Sequence, residues 1–499
     1  MKARTRSIVG AAAGAVFVLG VARALPPLSA QQATELIVRG GTIVTATGRS
    51  EGDVRIRDGV ITEIGTALAG SADAREISAK GMLVLPGGID PHVHLGMRPG
   101  MQGSDDYTSG SRAALAGGVT TIANFINQVP NEALAVTMNK AADEVKTQAI
   151  ADVLLHATIV DPKAVTPDDL AMLAKNYTLK IFTSREQFDT NLSSFVKLID
   201  DAGKAGVMTM THCEDRTIND VATGRLVAKG LTTIKYYPQA KPVASEEVAT
   251  QRCVGISEVT GSPIYIVHLS SERALQVVEA AQARGVQAFV ETRILYVHLT
   301  EERFELPDAN IYTGTPPLRK KADKDALWAG MAKGSIHVLA TDHIGYTRAD
   351  KMDPAVNIVN NRSAGNYLQV NLPMLYSEGV RTKRITLEQM VALSSTNPAK
   401  LFGLYPKKGT IAVGSDADIA IWDPNLTRTV KDEDQQSNAK FSIFSGWEVT
   451  GWPIVTIRRG EVVYEGGRIT ALAGSGELAP RVHWQRPGEA AAPTTASLR

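Results

Sequence analysis

Two histidines at alternating positions, His92 and His94, stand in the segment Leu-Pro-Gly-Gly-Ile-Asp-Pro-His-Val-His-Leu. Alternate residues of a β-strand project from the same face, so both imidazoles can reach one ion. Neutral imidazole is a common ligand for Zn²⁺ and related divalent ions. Two histidines on an exposed strand face can equally be solvated, so the pair alone leaves both interpretations open. It indicates half of a metal site.

Four further candidate ligands each lie near the end of a short apolar run: Lys180, His212, His268 and Asp342. Such runs are typical of buried parallel strands, and helical patterns separate them. This alternation predicts a closed (β/α)8 TIM barrel, whose chemistry gathers at the carboxyl ends of its strands. The eight predicted strands are residues 83–95, 119–125, 152–160, 178–184, 206–214, 263–270, 286–297 and 337–343. All six candidate ligands would then face one barrel mouth.

The two ends of the chain differ from this pattern. Residues 35–65 form short alternating segments broken by glycine pairs, which is typical of hairpins, and similar segments return after residue 416. The predicted organisation is a signal peptide at 1–30, a first β-sandwich part at 31–82, the barrel at 83–404, a second β-sandwich part at 405–475 and a C-terminal tail at 476–499. The tail beyond residue 485 is rich in Ala, Pro and Thr and is predicted to be disordered.

The first thirty residues have a basic start, a small apolar stretch and a cleavage site after Ala30. The alternative is a permanent membrane anchor, but the apolar stretch of about 15 residues is short against the ~20 that span a bilayer. We therefore predict a periplasmic or secreted enzyme with no stable membrane insertion after cleavage. Cys213 and Cys253 are predicted to be free thiols, although a disulfide between them stays open.

The composition excludes nucleic acid as the expected partner. The formal net charge is +1, aromatic residues make up 5% of the chain, and no cluster of lysines or arginines forms a basic stripe in its body. The expected partner is a small-molecule substrate.

The chain resembles the amidohydrolase superfamily, and within it the cyclic amidases, which include dihydropyrimidinases and hydantoinases. The resemblance covers residues 35 to about 470. Its motifs are Pro-Gly-Gly-Ile-Asp-Pro-His-Val-His-Leu at 86–95, Asp-Asp-Tyr-Thr-Ser-Gly at 105–110, Ala-Ala-Leu-Ala-Gly-Gly-Val-Thr at 113–120, Thr-Pro-Pro-Leu-Arg at 315–319, and a long segment at 394–424 similar to the group's closing helix and return strand.

This resemblance implies a two-metal site built from the six candidate ligands. The first ion is bound by His92, His94 and Asp342, the second by His212 and His268, and both by Lys180. Because an ammonium cannot bind a metal, Lys180 contributes only as a neutral amine or as a carbamate formed with CO2, whose two oxygens can bridge two ions. The alternative is a lysine that extends from the strand end to water. The expected cofactors are two divalent ions, Zn²⁺ first among them, and the carbamate on Lys180.

The implied reaction is hydrolysis of a C–N bond in a cyclic amide, of the dihydropyrimidine or hydantoin kind. A hydroxide that bridges the ions attacks, because metal binding lowers the pKa of water toward ~7, and Asp342 shuttles the proton. Thr315 and Asn361 occupy substrate-contacting positions of the group. The resemblance also implies one β-sandwich built from both chain ends, and we expect a homodimer or homotetramer.

One departure concerns the substrate. Dihydropyrimidinases usually place a tyrosine five residues after the bridging lysine, where this chain has Arg185. A guanidinium favours a planar carboxylate over a neutral carbonyl, so we expect an acidic substrate. The alternative is that Arg185 turns to solvent or pairs with Glu186 or Asp189.

Other functions remain open. They are hydrolysis of an N-acyl or N-carbamoyl amino acid or an allantoin-like ureide, and a non-catalytic structural role such as some dihydropyrimidinase-related proteins have. Retention of all six ligands favours the enzyme.

Of the remaining groups, His343 is expected to support the site, His156 either faces the mouth or is a core histidine, and Asp105 and Asp106 are expected to cap a helix.

Overall fold

The computed structural model describes residues 35–96 and 103–485. The predicted signal peptide at 1–30 and the predicted disordered residues 486–499 lie outside the described residues. Within the two described ranges, no helix is both long and apolar enough to span a bilayer.

Five strands precede the barrel: β1 (Glu35–Thr45), β2 (Gly48–Arg57), β3 (Val60–Gly65), β4 (Arg75–Ser78) and β5 (Leu83–Pro86). The strands β1, β2 and β3 form an antiparallel meander, while β4 and β5 pair parallel to β1. Val38, Val54 and Ile61 are buried in the core of this layer. Alternation of such β-branched residues with polar ones is what a half-buried sheet requires.

Eight parallel strands form the barrel: β6 (Gly88–Val93), β7 (Val119–Asn127), β8 (Asp152–Thr158), β9 (Thr178–Phe182), β10 (Thr209–His212), β11 (Ile264–Ile266), β12 (Ala288–Arg293) and β13 (Val338–Ala340). They lie side by side in chain order. The sheet closes where His94 donates its backbone N–H to the carbonyl oxygen of His343 at 2.8 Å. Phe125, Met210 and Phe289 help to fill the interior, so the barrel is packed rather than open.

Helices follow the strands, as the alternating pattern predicts. The α-helices are α1 (Tyr107–Ala116), α2 (Leu134–Gln148), α3 (Pro167–Asn176), α4 (Glu186–Thr190), α5 (Leu192–Lys204), α6 (Arg216–Val227), α7 (Tyr237–Ala240), α8 (Val243–Thr260), α9 (Glu272–Ala283), α10 (Ile294–His298), α11 (Lys321–Lys333), α12 (Arg348–Lys351), α13 (Asn371–Leu375), α14 (Leu387–Val391) and α15 (Asn397–Leu401). The 3₁₀ turns are Pro162–Ala164, Ile234–Tyr236, Glu301–Glu305 and Ala309–Tyr312, and Tyr376–Val380 and Ala392–Thr396 are π-helical.

Four late strands return to the flanking layer: β14 (Ile419–Thr429), β15 (Glu448–Arg458), β16 (Glu461–Glu465) and β17 (Arg468–Ile469). Because β14 pairs antiparallel with β5, both chain ends join in one nine-stranded sheet, mostly antiparallel. The predicted fold class, a (β/α)8 barrel with a smaller β-layer from both ends, is confirmed.

The first barrel strand differs from its prediction. The segment 83–95 is two strands, because β5 pairs with β1 and β14 in the flanking sheet and only β6 belongs to the barrel. The glycine at 87 separates them, and its backbone N–H donates to the carbonyl of Asp418 at 2.8 Å. The predicted strand 286–297 is also too long, because β12 ends at Arg293 and α10 follows directly.

Candidate functional site

His92, His94 and Asp342 form a compact cluster at the carboxyl ends of β6 and β13. The Nε2 atoms of His92 and His94 lie 3.2 Å and 3.0 Å from the same oxygen, Asp342 Oδ1. The three donor atoms all lie within 4.8 Å of one another, which suits one small cation. Burial works against ionisation of Asp342, but Arg293 and His92 outweigh it and hold the pKa of the carboxyl well below its usual range.

His212 and His268 form a second pair of converging donors. His212 Nδ1 lies 2.9 Å from His268 Nε2, and the His268 ring centre lies 5.5 Å from that of His92. The other nitrogen of His212, Nε2, lies 2.8 Å from Glu214 Oε2. An N–H there would leave Nδ1 with its lone pair toward His268. Burial lowers the pKa of both histidines, which keeps the rings neutral as metal ligands must be.

The backbone at two of these residues is left-handed. His268 has a φ of 39° and Asp342 a φ of 49°, values that non-glycine residues seldom adopt. The side chains of Tyr265 in β11 and of Val267 just after it pack in the barrel interior, so strict alternation would turn residue 268 away from it. The left-handed turn brings the imidazole back toward the mouth. Such strain is concentrated at functional sites, where the surrounding structure imposes it.

Lys180 lies between the two histidine pairs. Its Nζ is fully buried, has no hydrogen-bond partner among the described residues, and lies 5.0 Å from the ring centres of both Phe125 and Phe182. The Phe125 ring contacts His92, and the Phe182 ring contacts His212. Burial lowers the pKa of Lys180 to about 7, so a large share of the side chain is a neutral amine at neutral pH. The alternative of a lysine extending to water is wrong, because the side chain is 1% exposed.

Three further charged residues were not singled out from the sequence. Glu291 on β12 lies 2.7 Å from His92 Nδ1 and also accepts from the Tyr265 hydroxyl at 3.0 Å. Arg293, two residues further along the same strand, lies 3.0 Å from Asp342 Oδ2, and Glu214 follows His212 by two residues. Glu291 and Arg293 share one face of β12, and Glu214 follows the last residue of β10 by two positions, so a two-residue spacing was the available signal.

The predicted substrate residues Thr315 and Asn361 meet in one hydroxyl network. Thr315 Oγ1 lies 2.6 Å from both the Tyr237 hydroxyl and Ser363 Oγ, and Ser363 in turn donates to the Asn361 side chain. A chain of hydrogen bonds links this segment to the metal-ligand cluster. Arg293, which contacts Asp342, donates to the Tyr296 hydroxyl, and that hydroxyl donates to the carbonyl oxygen of Pro316, the residue after Thr315. The network presents several hydroxyls that can both donate and accept.

Arg185 follows β9 and immediately precedes α4. Its guanidinium carbon lies 4.2 Å from the centre of the Phe182 ring, and Lys180 Nζ lies 5.0 Å from the same ring centre. Neither acid named as its alternative partner pairs with it. Glu186 pairs with Arg216 at 3.4 Å, and Asp189 pairs with Arg252 at 2.8 Å.

Two histidines lie outside the donor cluster. His156 is a core histidine, because its ring bonds to the Thr178 hydroxyl and, at 3.0 Å, to the Pro91 carbonyl. His343 is fully buried, and its Nε2 lies 2.9 Å from Asp105 Oδ2.

The predicted capping role of Asp105 is wrong. Asp106 caps α1, whereas Asp105 is a buried carboxylate that also bonds to the Ser437 side chain and the Asn438 backbone N–H. Cys213 and Cys253 are buried free thiols, as predicted.

The donor set fits divalent metal ions. Four imidazoles, one ionised carboxylate and one buried amine that has no partner among the described residues converge at a single barrel mouth. Among the described residues, the buried amine of Lys180 has no hydrogen-bond partner, and His212 Nδ1 and His268 Nε2 pair with each other rather than with a carboxylate or a carbonyl. These residues therefore form a candidate metal centre.

A (β/α)8 barrel with these donors at the carboxyl ends of its strands defines the amidohydrolases. The chain belongs to this family, since the model of the Amidohydrolase family matches residues 83–463. The D-hydantoinase of Ralstonia pickettii is 35% identical over 456 residues, covering 90% of this chain and 99% of that protein.

Solved structures agree with this assignment. The D-hydantoinase of Bacillus sp. AR9 superposes with a TM-score of 0.86 at 33% identity, covering 90% of this chain and all of that one. The dihydropyrimidinase of Brevibacillus agri NCHU1002 superposes with a TM-score of 0.85 at 30% identity, covering 91% of this chain and all of that one. The predicted resemblance to the cyclic amidase group is confirmed.

Proposed function

We propose that this enzyme hydrolyses a C–N bond of a cyclic amide, in a hydantoin or dihydropyrimidine ring, with two divalent metal ions. The observation that carries the proposal is the convergence of all six donors at one barrel mouth. The names of the relatives, D-hydantoinase and dihydropyrimidinase, support the same substrate class. A non-catalytic role is disfavoured, because a site that no longer binds metal would not need these donors.

The donors divide naturally between two ions. His92, His94 and Asp342 would bind the first, and His212 and His268 the second. Imidazole with carboxylate suits Zn²⁺, which is our proposed metal. When bound, the ions would lower the pKa of water and polarise the substrate carbonyl.

Lys180 would join both ions as a carbamate. The buried amine forms an N–C bond with CO2 and loses one proton, which yields an anion with two oxygens. Its unpartnered Nζ between the two histidine pairs supports this role. A fixed ammonium in the same place would be opposed by burial.

Asp342 is the proposed proton carrier. Its carboxylate is ionised and its second oxygen is held by Arg293, so it can accept a proton from water and release it to the leaving nitrogen. In the overall reaction the water oxygen bonds to the carbonyl carbon, the ring C–N bond breaks, and the nitrogen gains a proton. The hydroxyl network around Thr315 and Asn361 would hold the ring by its polar edges.

Substitution of Lys180 tests the metal centre. We expect wild type to bind two ions per chain by elemental analysis, and Lys180→Ala to lose metal and hydrolysis of hydantoin and dihydrouracil together, with partial rescue by short carboxylic acids that replace the carbamate. Lys229→Ala, which alters an exposed lysine, is the matched control and should keep both. An unchanged metal count in Lys180→Ala would contradict the bridging role, and a metal-loaded wild type that cleaves no cyclic amide would contradict the function.

A further inference from the structure

Arg185 is a charged residue beside the candidate metal centre. The proposed hydrolysis assigns it no role. Its guanidinium stacks on the Phe182 ring at 4.2 Å. The same ring lies 5.0 Å from Lys180 Nζ and 5.0 Å, centre to centre, from the His212 ring. The Phe182 ring therefore lies close to both the guanidinium and the metal-binding residues. Stacking on this ring holds the plane of the guanidinium.

This guanidinium lacks a partner among the described residues. The nearby acids Glu186 and Asp189 pair with Arg216 and Arg252 instead. Burial lowers the pKa of Arg185, and no carboxylate opposes that effect. A partly buried cation without a counter-ion is costly to maintain.

Three other arginines each have at least one partner for the guanidinium. Arg293 pairs with Asp342, Arg458 pairs with Glu461, and Arg481 donates to backbone carbonyl oxygens. Arg185 differs from all three because its guanidinium makes no hydrogen bond to the described residues, and it is more exposed than Arg293 and Arg458. A ligand can therefore reach it from the barrel mouth.

We propose that Arg185 binds a carboxylate on the ring substituent of the substrate, so that the enzyme selects acidic cyclic amides over neutral ones. This inference rests on the proposed cyclic amidase function. The planar guanidinium can bind both carboxylate oxygens at once, and the shielded position strengthens that ion pair relative to one in water. A neutral amide of the same size would offer only one acceptor oxygen and no charge.

The test compares two hydantoins of matched size, one with a carboxyethyl side chain and one with the carboxyl converted to a primary amide. We expect the wild-type kcat/KM for the acid to exceed that for the amide by about tenfold or more. In Arg185→Gln this ratio should fall toward one, and Arg185→Lys should retain part of it. Arg252→Gln removes a neighbouring arginine that already has a partner, so the ratio should persist there.

Calorimetry separates this inference from the proposed function. The two compounds are titrated into wild type, and into Asp342→Asn if wild type cleaves them. Tighter binding of the acid that disappears in Arg185→Gln supports the carboxylate subsite even if neither compound is cleaved. Equal kcat/KM and equal affinity for the two compounds in wild type, or a preference unchanged in Arg185→Gln, would overturn it and leave the hydrolysis proposal standing.

Discussion

The consecutive residues Asp342 and His343 have different surroundings and, we propose, different roles. Asp342 faces His92 and His94 in the barrel mouth, whereas His343 faces the buried carboxylate of Asp105. The backbone of His343 also closes the barrel against β6. The two side chains thus have different partners, so neighbouring substitutions should have different consequences.

We expect Asp342→Asn to retain the fold and to lose a factor of about 10² to 10⁴ in kcat, the usual contribution of a general acid–base group. Steady-state assays measure the loss in kcat, and circular dichroism checks that the fold is retained. His343→Ala is the comparison, and it should mainly lower stability, because it leaves Asp105 buried without its ring partner. A near-normal kcat in Asp342→Asn would show that Asp342 is not the proton carrier.

At the scale of elements, the loops that carry the hydroxyl network are held together by one lysine. Lys351, at the end of α12, is fully buried, and its Nζ donates to the carbonyl oxygens of Thr313 at 2.9 Å, Arg362 at 2.5 Å and Ala364 at 2.7 Å. Thr313 precedes Thr315 by two residues, and the other two acceptors flank Ser363. The lysine therefore sets the spacing of the two loops whose side chains meet in the network.

Lys351→Met should disorder this loop pair. The substitution removes the Nζ donor from all three oxygens. Thr313 O and Arg362 O keep other donors, whereas the Ala364 oxygen has no other donor among the described residues, at a cost of roughly 1–3 kcal/mol for an unsatisfied buried group. We expect KM to rise more than kcat falls, because the ring-binding hydroxyls lose their positions while the metal ligands stay in place. Kinetics and limited proteolysis would detect the change, and Lys80→Met on an exposed lysine is the control. A wild-type KM and wild-type protease resistance in Lys351→Met would argue against this role of Lys351.

At the scale of the whole molecule, a buried ion network joins the barrel to the flanking sheet. Lys408 Nζ lies 2.7 Å from Asp152 on β8, 2.7 Å from Asp418 and 3.2 Å from Asp416. The last two residues immediately precede β14 of the flanking sheet. One ammonium thus balances carboxylates from both layers.

Lys408→Met should destabilise the protein by about 3–5 kcal/mol, because it leaves buried carboxylates uncompensated. The adjacent Lys407 pairs with Asp416 at 2.7 Å but is half exposed, so Lys407→Met should cost at most about 1 kcal/mol. Urea unfolding at neutral pH compares the two variants. Equal losses would mean that burial of the network does not matter.

The pH dependence of this network has a definite sign. Burial opposes ionisation of Asp152, but Lys408 and Arg459 outweigh it and lower the pKa of the carboxyl. A lowered carboxyl pKa stabilises the fold above the unfolded value of roughly 3.9, and that contribution is lost as the pH falls through the folded pKa. The difference in unfolding free energy between wild type and Lys408→Met should therefore shrink in acid.

Much of the architecture was determined by local pattern alone. Apolar runs separated by helical segments place each donor near a strand end, and parallel strands in a closed barrel bring such ends to one mouth. That reasoning located His92, His94, Lys180, His212, His268 and Asp342 before any contact was known. Periodicity is a property of neighbouring residues, whereas the choice of Lys180 as a ligand also depended on the resemblance to the cyclic amidases.

Only the tertiary structure decided how those donors are supported and where the layers meet. Glu291 and Arg293 contact residues that lie far away along the chain, and the separation between His92 and Glu291 is 199 residues. The division of residues 83–95 between two sheets likewise depends on pairing with distant strands. Buried charges such as Lys180 and Arg185 are defined by what surrounds them, and burial is a property of the packed molecule that local pattern does not contain.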